Sequence, residues 1–281
     1  MNTPSDAALE QSRLWNGRSG LAWVDAQEVL DNLFTPFENK LVEEVVAGGR
    51  HQVLDVGCGT GATTLAVARR LGNAGRCVGI DISEPMLAVA RVRAERENVA
   101  ATFICANAQT HVFEPTSFDL IISRFGVMFF DEPVRAFANL RRALKSGGEL
   151  RAIAWRSPAE NPFMTAAERA AAPLLPNLPP RRPDAPGQFA FADAERVRRI
   201  LQESGWTDID VQPFDVECVM PEAALNLYIT RIGPVSMVLQ DADDATRTRV
   251  AQAVRAAFEP YVRGGKARFT AACWLLAGRQ V

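Results

Sequence analysis

The run Val53-Leu54-Asp55-Val56-Gly57-Cys58-Gly59-Thr60-Gly61-Ala62 constrains this chain more than any other stretch. Its first four residues are mostly apolar and include two β-branched valines, the composition of a strand buried on both faces of a parallel sheet. Three glycines follow at alternate positions. Ala62 to Leu71 then reads as a helix, stopped by Gly72. Strand, glycine turn, helix is the geometry of a nucleotide site. Glycine lets backbone approach a ligand with no Cβ between them, and the helix start offers unpaired N–H groups and positive dipole.

Two ligand classes use such a turn. The spacing Gly57-x-Gly59-x-x-Ala62 satisfies the dinucleotide fingerprint, so the glycines alone leave an NAD-dependent oxidoreductase open. Asp55 discriminates, because a carboxylate facing the turn repels a pyrophosphate and attracts a cationic amine. The stretch resembles motif I of the class I S-adenosylmethionine (SAM) dependent methyltransferases, an acidic residue followed by x-G-x-G-x-G. SAM carries an ammonium and a sulfonium and no phosphate, so the charges agree.

Downstream segments keep the order of that family. Arg76 to Ile80 reads as the second strand and ends in Asp81, about 20 residues past the glycines, where an acid accepts hydrogen bonds from both ribose hydroxyls. Ser83 caps a helix from Glu84 to about Glu97, with Pro85 in its first turn. Ile82 and Met86 are placed to sandwich an adenine. Thr102 to Cys105 is a third strand, followed by Ala106-Asn107-Ala108-Gln109. In the family this loop usually reads G-D-A, and its Asp accepts the adenine amino group. Here Asn107 offers an amide oxygen without the charge, and Ala108 is small enough for its backbone N–H to reach the ring. Phe118 to Ser123 is the fourth strand, resembling family motif IV, which places Ser123 and Arg124 near the methionine end. The Leu144-Lys145-Ser146-Gly147-Gly148 stretch resembles the family's L-K-P-G-G turn between a helix from Asp131 to Lys145 and a fifth strand through Trp155.

The resemblance, strongest over Val53–Leu150, is to small-molecule SAM methyltransferases like those of ubiquinone and menaquinone biosynthesis. It implies a Rossmann-like, doubly wound α/β fold. The expected sheet is seven-stranded and mostly parallel, with an antiparallel last strand and a helical cap. It also implies SAM as cofactor, with Asp55, Gly57, Cys58, Gly59, Gly61, Asp81, Ile82, Met86, Asn107, Ala108, Gln109, Ser123 and Arg124 around it.

Outside that core the chain is less legible. Residues 6–48 read as two or three helices with an apolar stripe Leu30, Leu33, Phe34, Phe37, Leu41, Val45, broken or kinked at Pro36. Trp15 and Trp23 flank a glycine-containing turn that reads equally as a lid over a ligand or an anchor for a terminal helix. Arg18 is a candidate for the methionine carboxylate of SAM, with a solvated arginine as the default. Prolines from Pro173 to Pro186 mark an irregular loop. A strand over Ile209–Met220 and a closing strand over Ala267–Gly278 are separated by helices broken at Gly233-Pro234. In the parent fold those two strands form a plain hairpin. The expected organisation is therefore N-terminal helices over 1–48, a cofactor-binding core over 49–155, cap insertions over 156–190 and 221–265, and the rest of the core over 191–220 and 266–281. A homodimer face is the alternative reading of the insertions.

Composition narrows the partners. A formal charge of −2 over 281 residues gives no basic excess for nucleic acid. Five scattered cysteines without a C-x-x-C pair argue for reduced thiols in the cytoplasm and against a metal site or disulfide framework. The start, Met1 to Asp6, carries no signal-peptide pattern, and no apolar run reaches membrane-spanning length. The acceptor is then a small, largely apolar molecule. Phe125, Phe129 and Trp15 are candidates to line its pocket. His111, just after the adenine loop, is the first candidate base if the acceptor is a hydroxyl, while His51 sits at the wrong end of the sheet. A protein that binds SAM without methylating is the third reading.

Overall fold

The computed structural model describes residues 6–179, 181, 185–239 and 242–281. The start Met1–Ser5, and Pro180 and Pro183 of the proline-rich loop, lie outside the described residues. Three helices come first: α1 (Asp6–Asn16), α2 (Arg18–Asp25) and α3 (Gln27–Ala47). An alternating core follows: β1 (Gln52–Val56), α4 (Ala62–Leu71), β2 (Arg76–Asp81), α5 (Glu84–Arg96), β3 (Ala101–Cys105), β4 (Phe118–Arg124), α6 (Pro133–Ala143) and β5 (Leu144–Trp155). After it come α7 (Ala166–Ala171), α8 (Ala194–Glu203), β6 (Thr207–Pro221), α9 (Glu222–Arg231), α10 (Pro234–Leu239), α11 (Asp244–Phe258), β7 (Val262–Arg263) and β8 (Lys266–Arg279).

The main sheet runs β3-β2-β1-β4-β5-β8-β6, with the two-residue β7 pairing with β8 beside it. The first five strands are parallel, and β8 is antiparallel to both β5 and β6. Right-handed crossovers run outward from β1 in one direction through α4 and α5, and from β4 in the other through α6. The two faces are therefore covered by different helices, and α6 and α8 pack together opposite α3 and α4. Chain order reverses between β1 and β4, the place where open α/β sheets bind ligands beyond their carboxyl ends.

Two expectations need correction. Pro36 does not break its helix: α3 is continuous over 21 residues. Burial of Leu30, Leu33, Phe34, Phe37, Leu41 and Val45 along one stripe outweighs the single hydrogen bond that proline forgoes. The helix before the L-K-x-G-G stretch stops at Ala143, not Lys145, and Leu144 already pairs with Phe118. The glycines then form a bulge inside β5, between the Phe118 and Leu120 pairings, with Gly147 at φ +75°. Pro213 sits within β6, which is tolerated because β6 is the outer strand of the sheet.

One buried polar side chain ties the segment after β5 back to the sheet. Asn161 Nδ2 donates to the Ala272 carbonyl at 2.9 Å, and its Oδ1 accepts from the Ala272 N–H at 2.9 Å. In Asn161→Ala the Ala272 N–H loses its partner in a dry environment, a loss of about 2 kcal/mol. Thermal unfolding should show a Tm lower by roughly 4–8 °C.

Candidate active site

The glycine turn is where the sequence dictates geometry most tightly. Gly57 has φ +71°, and a Cβ there would lie 2.5 Å from the Cα of Gly126, in the loop after β4. Gly59 has φ +55°, and its Cβ would lie 2.7 Å from Met86 Cε. At Gly57 the left-handed conformation and the backbone contact both exclude a side chain, while at Gly59 the conformation disfavours one and Met86 can move aside. Gly61 caps α4 at φ +83° and packs against Ala90 and Phe103, so it shapes the turn and stays off the cavity wall.

A cavity of about 820 Å³ opens at this turn, above the carboxyl ends of β1, β2 and β4. That is near the upper end of small-molecule sites. Asp55, the discriminating carboxylate, and Asp81, which NAD enzymes and methyltransferases would use alike for a ribose, both line it. Asp55 is 1% exposed, and its Oδ2 accepts from the Thr64 hydroxyl at 2.6 Å. Asp81 accepts from the Gly59 N–H at 2.7 Å through Oδ2 and from the Ser83 N–H at 2.9 Å through Oδ1. An ionised carboxylate has about four acceptor sites, so Asp81 keeps capacity on each oxygen while it braces the turn.

The other expected residues divide in two. Gly57, Cys58, Gly59, Ile82, Met86, Asn107, Ala108 and Arg124 all line the same cavity. So do Trp15, Phe125 and Phe129 on its aromatic side. Gln109, Ser123 and His111 do not reach the wall and stand behind it. Ser123 donates to the Val56 carbonyl at 2.7 Å and accepts from the Gly126 N–H at 3.1 Å, which joins β4 to the glycine turn. Gln109 Oε1 accepts from the Glu132 N–H at 3.0 Å. His111, the candidate base, packs edge-on to Phe113 at 4.7 Å and is not among the residues that line the cavity. Asn107 Oδ1 already accepts from the Gln109 N–H at 2.9 Å, so its amide oxygen holds the loop as well as facing the cavity.

Residues with no motif complete the walls. Phe125 takes φ +68° at the end of β4 and stacks on Trp155 with centroids 4.5 Å apart and planes 9° from parallel. Phe34 meets Phe125 edge-on at 5.5 Å, and Trp15 meets Phe129 at 5.2 Å. Trp23, Thr60 and Thr63 also line the space. The α1 end is docked rather than loose. Asn16 donates to the Ile82 carbonyl at 2.9 Å and accepts from the Glu84 N–H at 2.9 Å, and Ser83 Oγ donates to the Trp15 carbonyl at 2.6 Å. The far end is closed by Met164, Gly187 and Gln188 from one late segment and by Tyr228, Ile232 and Ser236 from another. No periodicity or motif marks these side chains, because chain segments remote in sequence bring them together. The indole and phenyl content of residues 15–37 is the one sequence signal that points to them.

Burial pushes the Asp55 carboxyl up to about 6, with the Thr64 hydrogen bond and Arg124 opposing the rise. Burial also raises Asp81, against the backbone N–H groups of Ser83, Gly59 and Ile82. For Asp55 the folded value lies above the ordinary one, so the folded chain holds the extra proton between about pH 4 and pH 6. Its contribution to stability is greatest below that window and is lost as pH rises through about 6. Asp55→Asn should therefore flatten that slope and leave the ligand-free protein more stable near neutral pH. A cationic ligand reverses the preference, since it favours the ionised form. Affinity for an ammonium-bearing nucleoside should fall as pH drops below about 6 in the wild type and stay flat in the variant. Calorimetric titration at about pH 5 and about pH 7.5 reads this directly.

Comparison with known proteins matches the part of the chain that holds the glycine turn. The family model described as "Methyltransferase domain" matches residues 53–148, from β1 to the glycines of β5. That match covers about a third of the chain. Aklanonic acid methyltransferase of a Streptomyces strain is 38% identical over 128 residues, covering 44% of this chain and 56% of that protein. The demethylmenaquinone methyltransferase of Staphylococcus saprophyticus is 23% identical over 186 residues, 63% of this chain and 79% of that protein. The match thus spans about half the length of the first relative. Among solved structures the cyclase SpnF aligns over 100% of this chain and 99% of its own, with a TM-score of 0.58 at 20% identity, a likeness of fold. The methyltransferase domain contains Asp55, Asp81, Asn107 and Arg124, while the aromatic helices before it and the late segments closing the cavity lie outside the matched residues. No described helix is long and apolar enough to cross a membrane, and no described cluster of His, Cys, Asp and Glu forms a metal site.

Proposed function

We propose that this protein transfers a methyl group from SAM to a small, largely apolar acceptor. The observation that carries the reading is that Asp55 and Asp81, at the ends of neighbouring strands, line one cavity together with a cluster of aromatic side chains. The chain's own residues fit the cofactor. Asp81 has acceptor capacity for ribose hydroxyls, Ile82 and Met86 offer apolar faces for a base, and the glycine turn leaves room for the backbone to approach. Asp55 supplies negative charge where the ammonium would sit, and it would repel the pyrophosphate of NAD.

Bound SAM supplies a methyl group already activated by the sulfonium, and in-line displacement leaves the carbon–sulfur electron pair on sulfur. What remains for the protein is positioning and exclusion of water. Phe125 stacked on Trp155, with Phe34 and Phe129 beside them, forms a rigid apolar wall for the acceptor. We read residues 1–48, 156–190 and 221–265 as lid and cap over that wall. All three segments contribute cavity-lining side chains. The opposing reading, a dimer face, predicts a dimer in size-exclusion chromatography with light scattering. The near-neutral charge favours no nucleic-acid partner, and the free cysteines suit the cytoplasm.

A fold shared with a cyclase leaves a non-methylating SAM-binding protein as the second reading. Thermal-shift titration with S-adenosylhomocysteine and with NADH separates the cofactors. Stabilisation by NADH alone would sink the proposal. Transfer of radiolabelled methyl across aromatic hydroxyl, amine and carbon acceptors separates catalysis from binding, and tight cofactor binding without any transfer would favour the second reading.

A further inference from the structure

We infer that the Tyr228 hydroxyl is the polar anchor for the methyl acceptor, and that the acceptor is an apolar ring compound carrying a carbonyl oxygen. The inference rests on the methyltransferase reading of the same cavity. Tyr228 lies on α9 and lines the far end of the cavity beside Met164, which lines it too. It is 7% exposed, and its hydroxyl donates to the Met164 Sδ at 3.4 Å. A thioether is a weak acceptor. The donor is therefore kept in place by a bond that a carbonyl oxygen would replace with a stronger one.

The neighbours fix the ring and leave this hydroxyl as the weakly held donor. Phe163 packs against Tyr228 with centroids 5.6 Å apart, and Phe163 in turn stacks on Phe269 of β8 at 3.7 Å with planes 9° from parallel. The phenol is thus tied to the sheet through two ring contacts. Burial pushes its pKa upward, so it keeps its proton at neutral pH and acts as a donor. The other polar side chains that the late segments bring to the cavity have charged or backbone partners. Ser236 donates to the Gly233 carbonyl at 2.8 Å and to the Arg231 carbonyl at 3.1 Å. Arg181 pairs with Glu168 and donates to Gln188 Oε1 at 3.3 Å, and Arg231 reaches Asp25 at 3.5 Å. A pocket with a largely apolar wall orients its ligand through a few placed polar groups. At this end Tyr228 is the group whose present partner is the easiest to displace.

The test compares wild type, Tyr228→Phe and Tyr261→Phe by calorimetry on protein saturated with S-adenosylhomocysteine, with melting curves for all three. 1-Tetralone carries a ring carbonyl, and tetralin is the same ring system without it. Tyr261 packs on the same Phe163 ring at 5.1 Å but does not line the cavity, so Tyr261→Phe controls for the loss of a phenol as such. The expected result is a roughly 10-fold weaker Kd for tetralone in Tyr228→Phe, an unchanged Kd for tetralin, and wild-type values for both in Tyr261→Phe. The Tm of Tyr228→Phe should equal or exceed that of wild type, because a hydroxyl held by a thioether adds little to folding. A Tm lower by several degrees assigns the hydroxyl to folding and overturns the inference. So do equal weakening of the two probes, no change in either, or the same selective loss in Tyr261→Phe. A wild type that binds S-adenosylhomocysteine but takes tetralone no better than tetralin overturns the inference and leaves the methyltransferase reading intact. A wild type that fails to bind S-adenosylhomocysteine overturns both together.

Discussion

Asp81→Ala is expected to weaken S-adenosylhomocysteine binding by about 100-fold or more, the largest effect of any single side chain in the site. In the proposed site Asp81 receives two adjacent ribose hydroxyls, and hydrogen bonds to a charged acceptor contribute roughly 1.5–3 kcal/mol each. Two such bonds lost correspond to about two to four decades in Kd. The same carboxylate also receives the Gly59 and Ser83 N–H groups at 2.7 and 2.9 Å. Alanine therefore disturbs the glycine turn as well, and Tm should fall. Asp81→Asn separates the two effects. It keeps one acceptor oxygen for the backbone while removing the charge, so it should preserve most of the stability and still lose most of the affinity. Calorimetric Kd and Tm for the two variants check this, and an Asp81→Ala protein that binds normally would remove the ribose assignment.

Gly57→Ala should be the most destabilising single substitution in the turn. A Cβ at that position meets the Gly126 Cα at 2.5 Å, backbone against backbone, and the φ of +71° is disfavoured for any L-residue with a side chain. The dihedral costs about 1–2 kcal/mol and forced overlap in a packed region about 1–3 more. Together they lower Tm by roughly 4–20 °C. Cofactor affinity should vanish with it, since the relief available is to move β1 away from β4 at the point where the ligand sits. Gly147→Ala is the matched control. It has φ +75°, and a Cβ there meets nothing within 4 Å, so only the dihedral term applies and the Tm loss should be about half as large. Equal losses in the two variants would mean that the Gly57–Gly126 contact carries no weight.

The parts of this molecule legible in its sequence are those where local chemistry and global architecture ask for the same residues. The strand–glycine–helix unit at Val53–Leu71, the acid ending β2 and the Ser83 cap of α5 each need particular residue types within a few positions. Their spacing is set by backbone geometry, and the structure places them as expected. The apolar stripe of α3 was equally plain, but its continuity through Pro36 was not. Whether one missing hydrogen bond ends a helix depends on what the stripe is buried against.

Residues at the ends of recognised strands were harder to assign. Ser123 and Arg124 are adjacent, and alternation along β4 sends one beneath the glycine turn and the other into the cavity. His111 follows the adenine loop closely in sequence, yet it turns to Phe113 and leaves the cavity. Proximity along the chain does not decide which way a loop side chain faces.

The sequence by itself determined the parallel core, the turn at Gly57–Gly61 and the capped helix after β2. Each follows from short-range stereochemistry: positive φ, strand burial and helix capping. Only the tertiary structure decided the acceptor side, where Trp15, Phe34, Trp155 and Tyr228 converge from four separate elements. It also decided that Arg124, and not its neighbour Ser123, lines that space. A cavity wall depends on how helices and insertions pack across the sheet, and long-range packing leaves no fixed spacing in the chain to read.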